Sequence, residues 1–346
     1  VSERKTRVAI VSGENNGSGY YRAVLVKRGL DRLGGNVEAY FTDRWSETMD
    51  GAIDVLYLVH PRRATIDIQR VHELQRDGVA VVLDCDDLVF DVPAYSQAYL
   101  PSKAAGWREY RAALHQTADI VTVTTRAMGE ALREIGEAPG VVDVIPNAFD
   151  TSIKYLQPQA KQGTRPVIGW FGGGQHHGDL DAMRDVFEAI LAEGWGLVFF
   201  GSAPSQYLGV TWRTHGKRVV TIAGCDEPER YFGLAGMTGI DVGLAPLLPN
   251  AFNRCKSEIK PLEYRYLCGA PCVASDIEPY RPLVHDRIGL RLVDGFDPGA
   301  WLPAIREALR DGPKRYHLPA RFNLDIVSRA WANTFRRAHA MTGGLR

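Results

Sequence analysis

Residues 168–180 read Ile-Gly-Trp-Phe-Gly-Gly-Gly-Gln-His-His-Gly-Asp-Leu: a short apolar run, three consecutive glycines and the opening of a helix. Val167 to Phe171 has the length and β-rich composition of a buried strand, and Leu180 to Glu193 repeats its apolar residues at helical spacing. Leu197 to Phe200 is the next strand. A strand, a glycine turn, a helix and a second strand make a βαβ unit, which predicts a parallel sheet covered by helices.

The same rhythm extends in both directions. Downstream come strand Val219 to Ala223, helix Glu227 to Ala235, strand Val242 to Pro246, helix Ile259 to Leu267 and strand Cys272 to Ser275. Upstream, strands are predicted at Arg7 to Ser12, Val37 to Tyr40, Val55 to Val59, Val79 to Leu83, Ile120 to Thr124 and Val142 to Ile145. Helices fall between them at Tyr21 to Leu33, Ile66 to Arg76, Trp107 to Gln116 and Ala127 to Ile135. Asp150 to Arg165 is polar, holds Pro158 and Gly163, and reads as a linker. The expected fold class is α/β, with two Rossmann-like doubly wound domains facing a central cleft. The first spans 1–158 and the second 159–323. A basic amphipathic helix over 324–346 is free to pack back on the first.

Composition sets the outer bounds. A chain of 346 residues exceeds the usual single core, and its 45% hydrophobic and 24% charged content is globular. Acidic and basic side chains balance at 41 each, so no global field draws it to nucleic acid or anionic lipid. The five cysteines are scattered and lack a CxxC pair, which argues against a disulfide framework or a structural zinc site. With no apolar run of signal-peptide or membrane-spanning length, a cytoplasmic location is expected.

Ligands of open parallel sheets bind beyond the carboxyl ends of the strands, so the loops there carry the chemistry. The most informative is Asn253 to Asp276, NRCKSEIKPLEYRYLCGAPCVASD. Further markers are Thr122-Val-Thr-Thr before a helix, Val144-Ile-Pro-Asn-Ala-Phe-Asp150 at the domain junction, and Asp241-Val-Gly-Leu-Ala-Pro246. In order and spacing these resemble the donor half of GT-B glycosyltransferases of the GT4-like, retaining kind. The resemblance spans roughly residues 120 to 280 and is looser before that.

The donor segment also has its own physics. Ser257 is a good N-cap type, Pro261 falls in a first turn, and Ile259, Leu262 and Tyr266 share one apolar face, so a helix is predicted from Ser257. Its free amides, with Lys256 and Arg254 alongside, form an anion site suited to a diphosphate. The resemblance implies that Glu263 holds the ribose hydroxyls and that Glu258 and Ile259 belong to the donor pocket. It further implies that Gly172, Gly173, Gly174 and His176 line the donor, with Asp179 at a recurrent position. In one departure, Cys255 stands where such enzymes carry a first, sugar-contacting glutamate eight residues before the second. Glu258, Lys256 and Asn253 are the candidate replacements.

The loop from Gly13 to Arg22 fails the GxGxxG spacing, and Tyr40 and Phe41 occupy the place of the acidic residue a dinucleotide would need. It reads instead as a flexible loop bringing Gly17, Ser18, Gly19 or Tyr20 to phosphates or acceptor, with Arg22 either assisting or solvated. Asp84, Asp86 and Asp87 cluster after a buried strand. Asp84-Cys85-Asp86 matches the DxD of metal-dependent GT-A enzymes, but two nucleotide-type sheets favour acceptor-hydroxyl or catalytic roles for Asp86 and Asp87, with His60 a weaker candidate. Gly201, Ser202 and Gly224 to Pro228 are candidates for the base pocket.

These readings converge on retaining transfer of a sugar from a UDP- or GDP-sugar to an acceptor hydroxyl. Lys256, Asp86 and Asp87 are the expected catalytic residues, and no obligatory metal or cofactor is expected. The acceptor is left open among an envelope glycan, a lipid-linked sugar, a metabolite and a modified DNA base. A DNA acceptor would require Lys27-Arg28, Arg62-Arg63 and Arg213 to Arg218 to line the cleft. A nucleotide-sugar-binding protein with a degenerate site and an NAD-type oxidoreductase are the rival readings.

Overall fold

A computed structural model describes residues 4–13, 17–42, 53–61, 66–138, 140–153, 164–201, 208, 214–225, 227–312 and 318–343. Pro158, Gly163, Arg62, Arg63, Ser202, Asp226 and Arg213 lie outside them. Among the described residues, twelve strands form two six-stranded sheets in which every pair is parallel. The first contains β1 (Thr6–Ser12), β2 (Val37–Thr42), β3 (Val55–Val59), β4 (Ala80–Cys85), β5 (Ile120–Val123) and β6 (Val141–Val144), in the order β2-β1-β3-β4-β5-β6.

The second contains β7 (Val167–Gly172), β8 (Gly196–Gly201), β9 (Val219–Ala223), β10 (Val242–Ala245), β11 (Cys272–Ser275) and β12 (Leu290–Val293), in the order β12-β11-β10-β7-β8-β9. Central strands are sealed on both faces by the crossover helices, so β3 and β4 are buried along their whole length. β12 and the following Pro298–Asp311 helix extend the second sheet beyond the last strand predicted from sequence. Asp297 caps that helix by accepting from the Gly299 amide at 2.9 Å, and Pro298 opens it where no N–H is needed.

The chain crosses between the sheets twice. At both crossings it is tied by main-chain bonds, Phe149 N–H to Phe322 O at 2.7 Å and Leu324 N–H to Phe149 O at 3.0 Å. Asn323 then caps the Leu324–Thr342 helix, whose apolar face returns to the first sheet. Trp331 and Phe335 stack on one another and meet the Tyr57 ring of β3 at 5.1 and 5.2 Å. Each of these buried aromatics contributes about 2–3 kcal/mol relative to exposure. Among the described residues no helix is long and apolar enough to cross a membrane.

Candidate functional site

The carboxyl ends of both sheets open on one cavity of about 560 Å³. The second sheet supplies the glycine loop after β7, Gly201 after β8, Gly224 and Cys225 after β9, and the segment from Lys256 to Glu263. The first supplies Gly17, Ser18, Tyr21, Asp86, Asp87 and Gln97. The strand ends of β7 and β8 are pressed together, with Gly201 at φ 108° and a Cβ there only 2.1 Å from Gly172 O. That proximity requires glycine and keeps the wall made of backbone.

Lys256 and Ser257 line the cavity, but the helix starts later than Ser257. Asn250 caps a short turn, Ala251–Arg254, and the chain bends through 255–258 before the helix runs Ile259–Cys268 with Glu258 at the cap position. Ser257 precedes the cap and makes no capping bond. Ile259, Leu262 and Tyr266 do share an apolar face, packed with Phe149 at the domain crossing.

The bend also redirects three neighbours. Arg254 is half exposed and lies 3.8 Å from Glu278, off the cavity wall. Cys255 turns into the core of the first domain with Phe252, where burial pushes its thiol up to about 12. Glu258 also lies off the wall. Its Oε2 is buried without a hydrogen-bond partner among the described residues, and burial pushes its carboxyl up to about 7. Neither Cys255 nor Glu258 therefore offers a sugar-reading group to the cavity.

Glu263 sits at the cavity floor. Its oxygens accept from Tyr21 at 2.9 Å, Tyr231 at 3.1 Å and Lys260 at 2.7 Å. Tyr21 belongs to the first domain, so this carboxylate is a cross-cleft junction. The sequence reading passed over Tyr21, Tyr231 and Lys260. The available signal was Lys260 three residues before Glu263, a spacing that places both on one helix face.

The glycine loop leads into a polar network. His176 Nδ1 lies 2.8 Å from Asp179, whose other oxygen accepts from the Leu248 amide at 2.8 Å and the Asn253 amide group at 2.9 Å. Burial lowers the His176 pKa despite Asp179, and Lys256 and Lys260 lower it further. Asn250 and Asn253 both donate to the hydroxyl of Tyr95, at 2.9 and 3.1 Å. Tyr95 comes from the first domain and packs over Gly178, where a Cβ would stand 2.5 Å from its ring.

On the opposite wall the carboxylate cluster divides. Asp84 is fully engaged by Arg22 (2.7 Å) and the Thr122 hydroxyl (2.6 Å), so it turns away from the DxD role. Arg22 is neither solvated nor a phosphate ligand. It is completely buried, donates also to Ile145 O at 2.7 Å, and lies 4.8 Å over Trp331. Burial alone would lower its pKa, but Asp84 beside it produces a net rise.

Asp86 and Asp87 remain on the cavity. Asp86 Oδ1 is 2.5 Å from His60 Nε2, and His60 adopts φ 44°, a left-handed conformation that costs a non-glycine residue about 1–3 kcal/mol. Burial pushes the Asp86 carboxyl up, yet His60, Ser18 and Arg22 together hold it well below the usual carboxylate range. Asp87 reaches across to Lys256 Nζ at 3.3 Å. Gly17 and Ser18 are on the wall, whereas Gly19 is buried off it and the Tyr20 ring packs edge-on to Tyr21 and Phe232.

Among the described residues, Lys27, Arg28 and Arg218 do not line the cleft, and Arg62, Arg63 and Arg213 lie outside the described residues. Lys27 pairs with Asp31, and Arg28 bridges Asp150 and Glu229. Arg218 precedes β9, at the opposite end of the sheet from the cavity.

Two facing, doubly wound parallel sheets with the site between their carboxyl ends are the GT-B fold. No family model matches the sequence, and no curated protein is similar to it. The likeness lies in solved structures. A glycosyltransferase from Rickettsia africae superposes with a TM-score of 0.64 at 11% identity, covering 97% of this chain and 99% of that one. An alpha-glucosyltransferase bound to UDP and a 13-mer DNA containing an HMU base gives 0.58 at 14%, covering 97% and 96%. A UDP-GlcNAc 2-epimerase from Neisseria meningitidis bound to UDP-GlcNAc gives 0.51 at 11%, covering 96% and 100%. At these identities the likeness fixes the fold, and the chemistry must be argued from the residues.

Proposed function

We propose that the protein is a glycosyltransferase that moves a sugar from a nucleoside-diphosphate sugar to an acceptor hydroxyl with retention of anomeric configuration. One observation carries this reading: the shared cavity sets Lys256, Ser257, Lys260 and the glycine loop opposite the carboxylates of Asp86 and Asp87. In it the diphosphate lies between Gly172–Gly174 and Lys256. The ribose faces Glu263, and the base faces Gly201, Gly224 and Cys225 beside Tyr231. The volume suits such a ligand.

Transfer develops positive charge at the anomeric carbon and negative charge on the leaving diphosphate. Lys256, Lys260, the loop amides and the amides at the start of the Ile259 helix stabilise the second charge. Asp86, held ionised and oriented by His60, faces the first. Asp87 and Ser18 are placed to receive the acceptor hydroxyl. The pairing of Lys27 with Asp31 and of Arg28 with Asp150 and Glu229 favours a small or glycan acceptor over duplex DNA. Closure around the reactants limits hydrolysis of the donor.

A panel of UDP-, GDP- and CMP-sugars, scored for thermal stabilisation and slow donor hydrolysis, tests the reading. Stabilisation by one nucleotide series, with release of free sugar, supports it. An epimerised nucleotide sugar as the product would assign the chain to epimerase chemistry, and no stabilisation by any donor would refute nucleotide-sugar binding.

A further inference from the structure

Cys255 and Glu258 both turn from the cavity, which leaves the donor segment without a carboxylate aimed at the sugar. The glycine loop has no side chains of its own from Gly172 to Gly174. We infer that Gln97, supplied by the first domain, is the residue that reads the hydroxyls of the donor sugar. This rests on the transferase reading and deepens it.

Gln97 lines the cavity on the same wall as Asp86 and Asp87. Its amide lies directly on the glycine loop: a Cβ built at Gly174 would stand 2.0 Å from its Nε2 and 2.5 Å from its Oε1. The amide thus fills the space a side chain at position 174 would take. Among the described residues it has no hydrogen-bond partner, so both its donors and its acceptor are free for a ligand.

Its backbone, by contrast, is fixed. Tyr95, two residues earlier, is held by Asn250 and Asn253, and the Ser96 hydroxyl accepts from the Ala98 amide at 3.2 Å. A free amide on a fixed backbone, pressed against the loop assigned to the diphosphate, touches the group bonded to that diphosphate. An amide can both donate and accept, which suits hydroxyls and distinguishes their positions.

Calorimetric titration of wild type, Gln97→Ala and Gln97→Glu with UDP, UDP-glucose, UDP-galactose and UDP-N-acetylglucosamine tests this. In Gln97→Ala, Kd for the preferred sugar nucleotide should rise about tenfold, as for a lost ligand hydrogen bond. Kd for UDP should change less than twofold. Gln97→Glu should reorder the three sugars. Equal weakening of UDP and sugar nucleotides would make Gln97 a mere prop of the loop and overturn the inference. So would unchanged affinities throughout. A wild-type protein that binds none of the UDP-, GDP- and CMP-sugars would overturn the transferase reading and this inference together, a result distinct from intact nucleotide binding with silent variants.

Discussion

Replacing Glu258 by Gln should stabilise the protein above neutral pH and have less effect in acid. The Glu258 carboxyl precedes the Ile259–Cys268 helix, with Oε2 buried and lacking a partner among the described residues. Burial raises its pKa from 4.5 to about 7 and Asp286 adds to the rise, while its own backbone amide, then Arg321 and Arg22, only partly oppose it. A folded-state pKa above the unfolded value means that folding takes up a proton between the two. The contribution to stability is complete below pH 4.5 and lost as pH rises through about 7. At about 1.4 kcal/mol per pH unit, the full loss is about 3 kcal/mol. Glutamine keeps the shape and cannot ionise. Urea denaturation of both proteins at pH 5 and pH 8 should show the variant's advantage growing by about 2–3 kcal/mol. An advantage that stays flat, or shrinks, would show that Glu258 ionises freely in the folded protein, and the argument from its burial would fail.

Lys256→Ala should lower donor turnover by about 10²-fold or more, the usual cost of one leaving-group donor, while the melting temperature stays close to wild type. Retained turnover would remove Lys256 from the mechanism. Arg22→Met strands a buried Asp84 carboxylate and should cost about 3–5 kcal/mol in denaturation, whereas Arg22→Met with Asp84→Leu should recover a large part of it. Equal instability of the two would contradict the pairing argument. His115 is buried, with Nδ1 2.8 Å from Glu137 O, and burial followed by Arg111 lowers its pKa from 6.5 to about 4. Its contribution is therefore complete above pH 6.5 and lost as pH falls toward 4, by about 3 kcal/mol. His115→Gln should flatten the acid limb of a stability-against-pH curve, and an unchanged limb would argue against it.

The strand and helix alternation was readable because sheets covered on both faces need continuous apolar strands, such as Val55–Val59 and Ala80–Cys85. β12 carries no such run, since Leu290, Arg291 and Leu292 are only partly buried, and it escaped notice. The Ile259–Cys268 helix was readable in its apolar face and misplaced at its start. Residue type made Ser257 the best cap, but the Asn250-capped turn consumes the chain through Arg254 and delays the helix. Arg22 was beyond local reasoning because its partner lies 62 residues away. The orientation of Cys255 was hidden likewise, being set by packing on Ala127 and Phe252. Asp86 and Asp87 could be located from spacing alone, whereas their different partners, His60 and Lys256, required the fold.

Both sides of the cleft already bind each other, and this bears on how a donor enters. Tyr21 holds Glu263, Asp87 holds Lys256, and Tyr95 holds Asn250 and Asn253, each pair joining one domain to the other. A diphosphate beside Lys256 competes with Asp87 for the same ammonium. The existing pair is partly exposed and contributes at most about 1 kcal/mol, so a ligand with two negative charges displaces it readily. Displacement leaves Asp87 without its cation on the acceptor side at the moment the donor is bound. A carboxylate in that state accepts a hydroxyl proton bond more strongly than one neutralised by lysine. On the proposed reading, donor binding thus prepares the acceptor side through a single exchange of partners across the cleft, and the order of binding, donor before acceptor, follows from the charges.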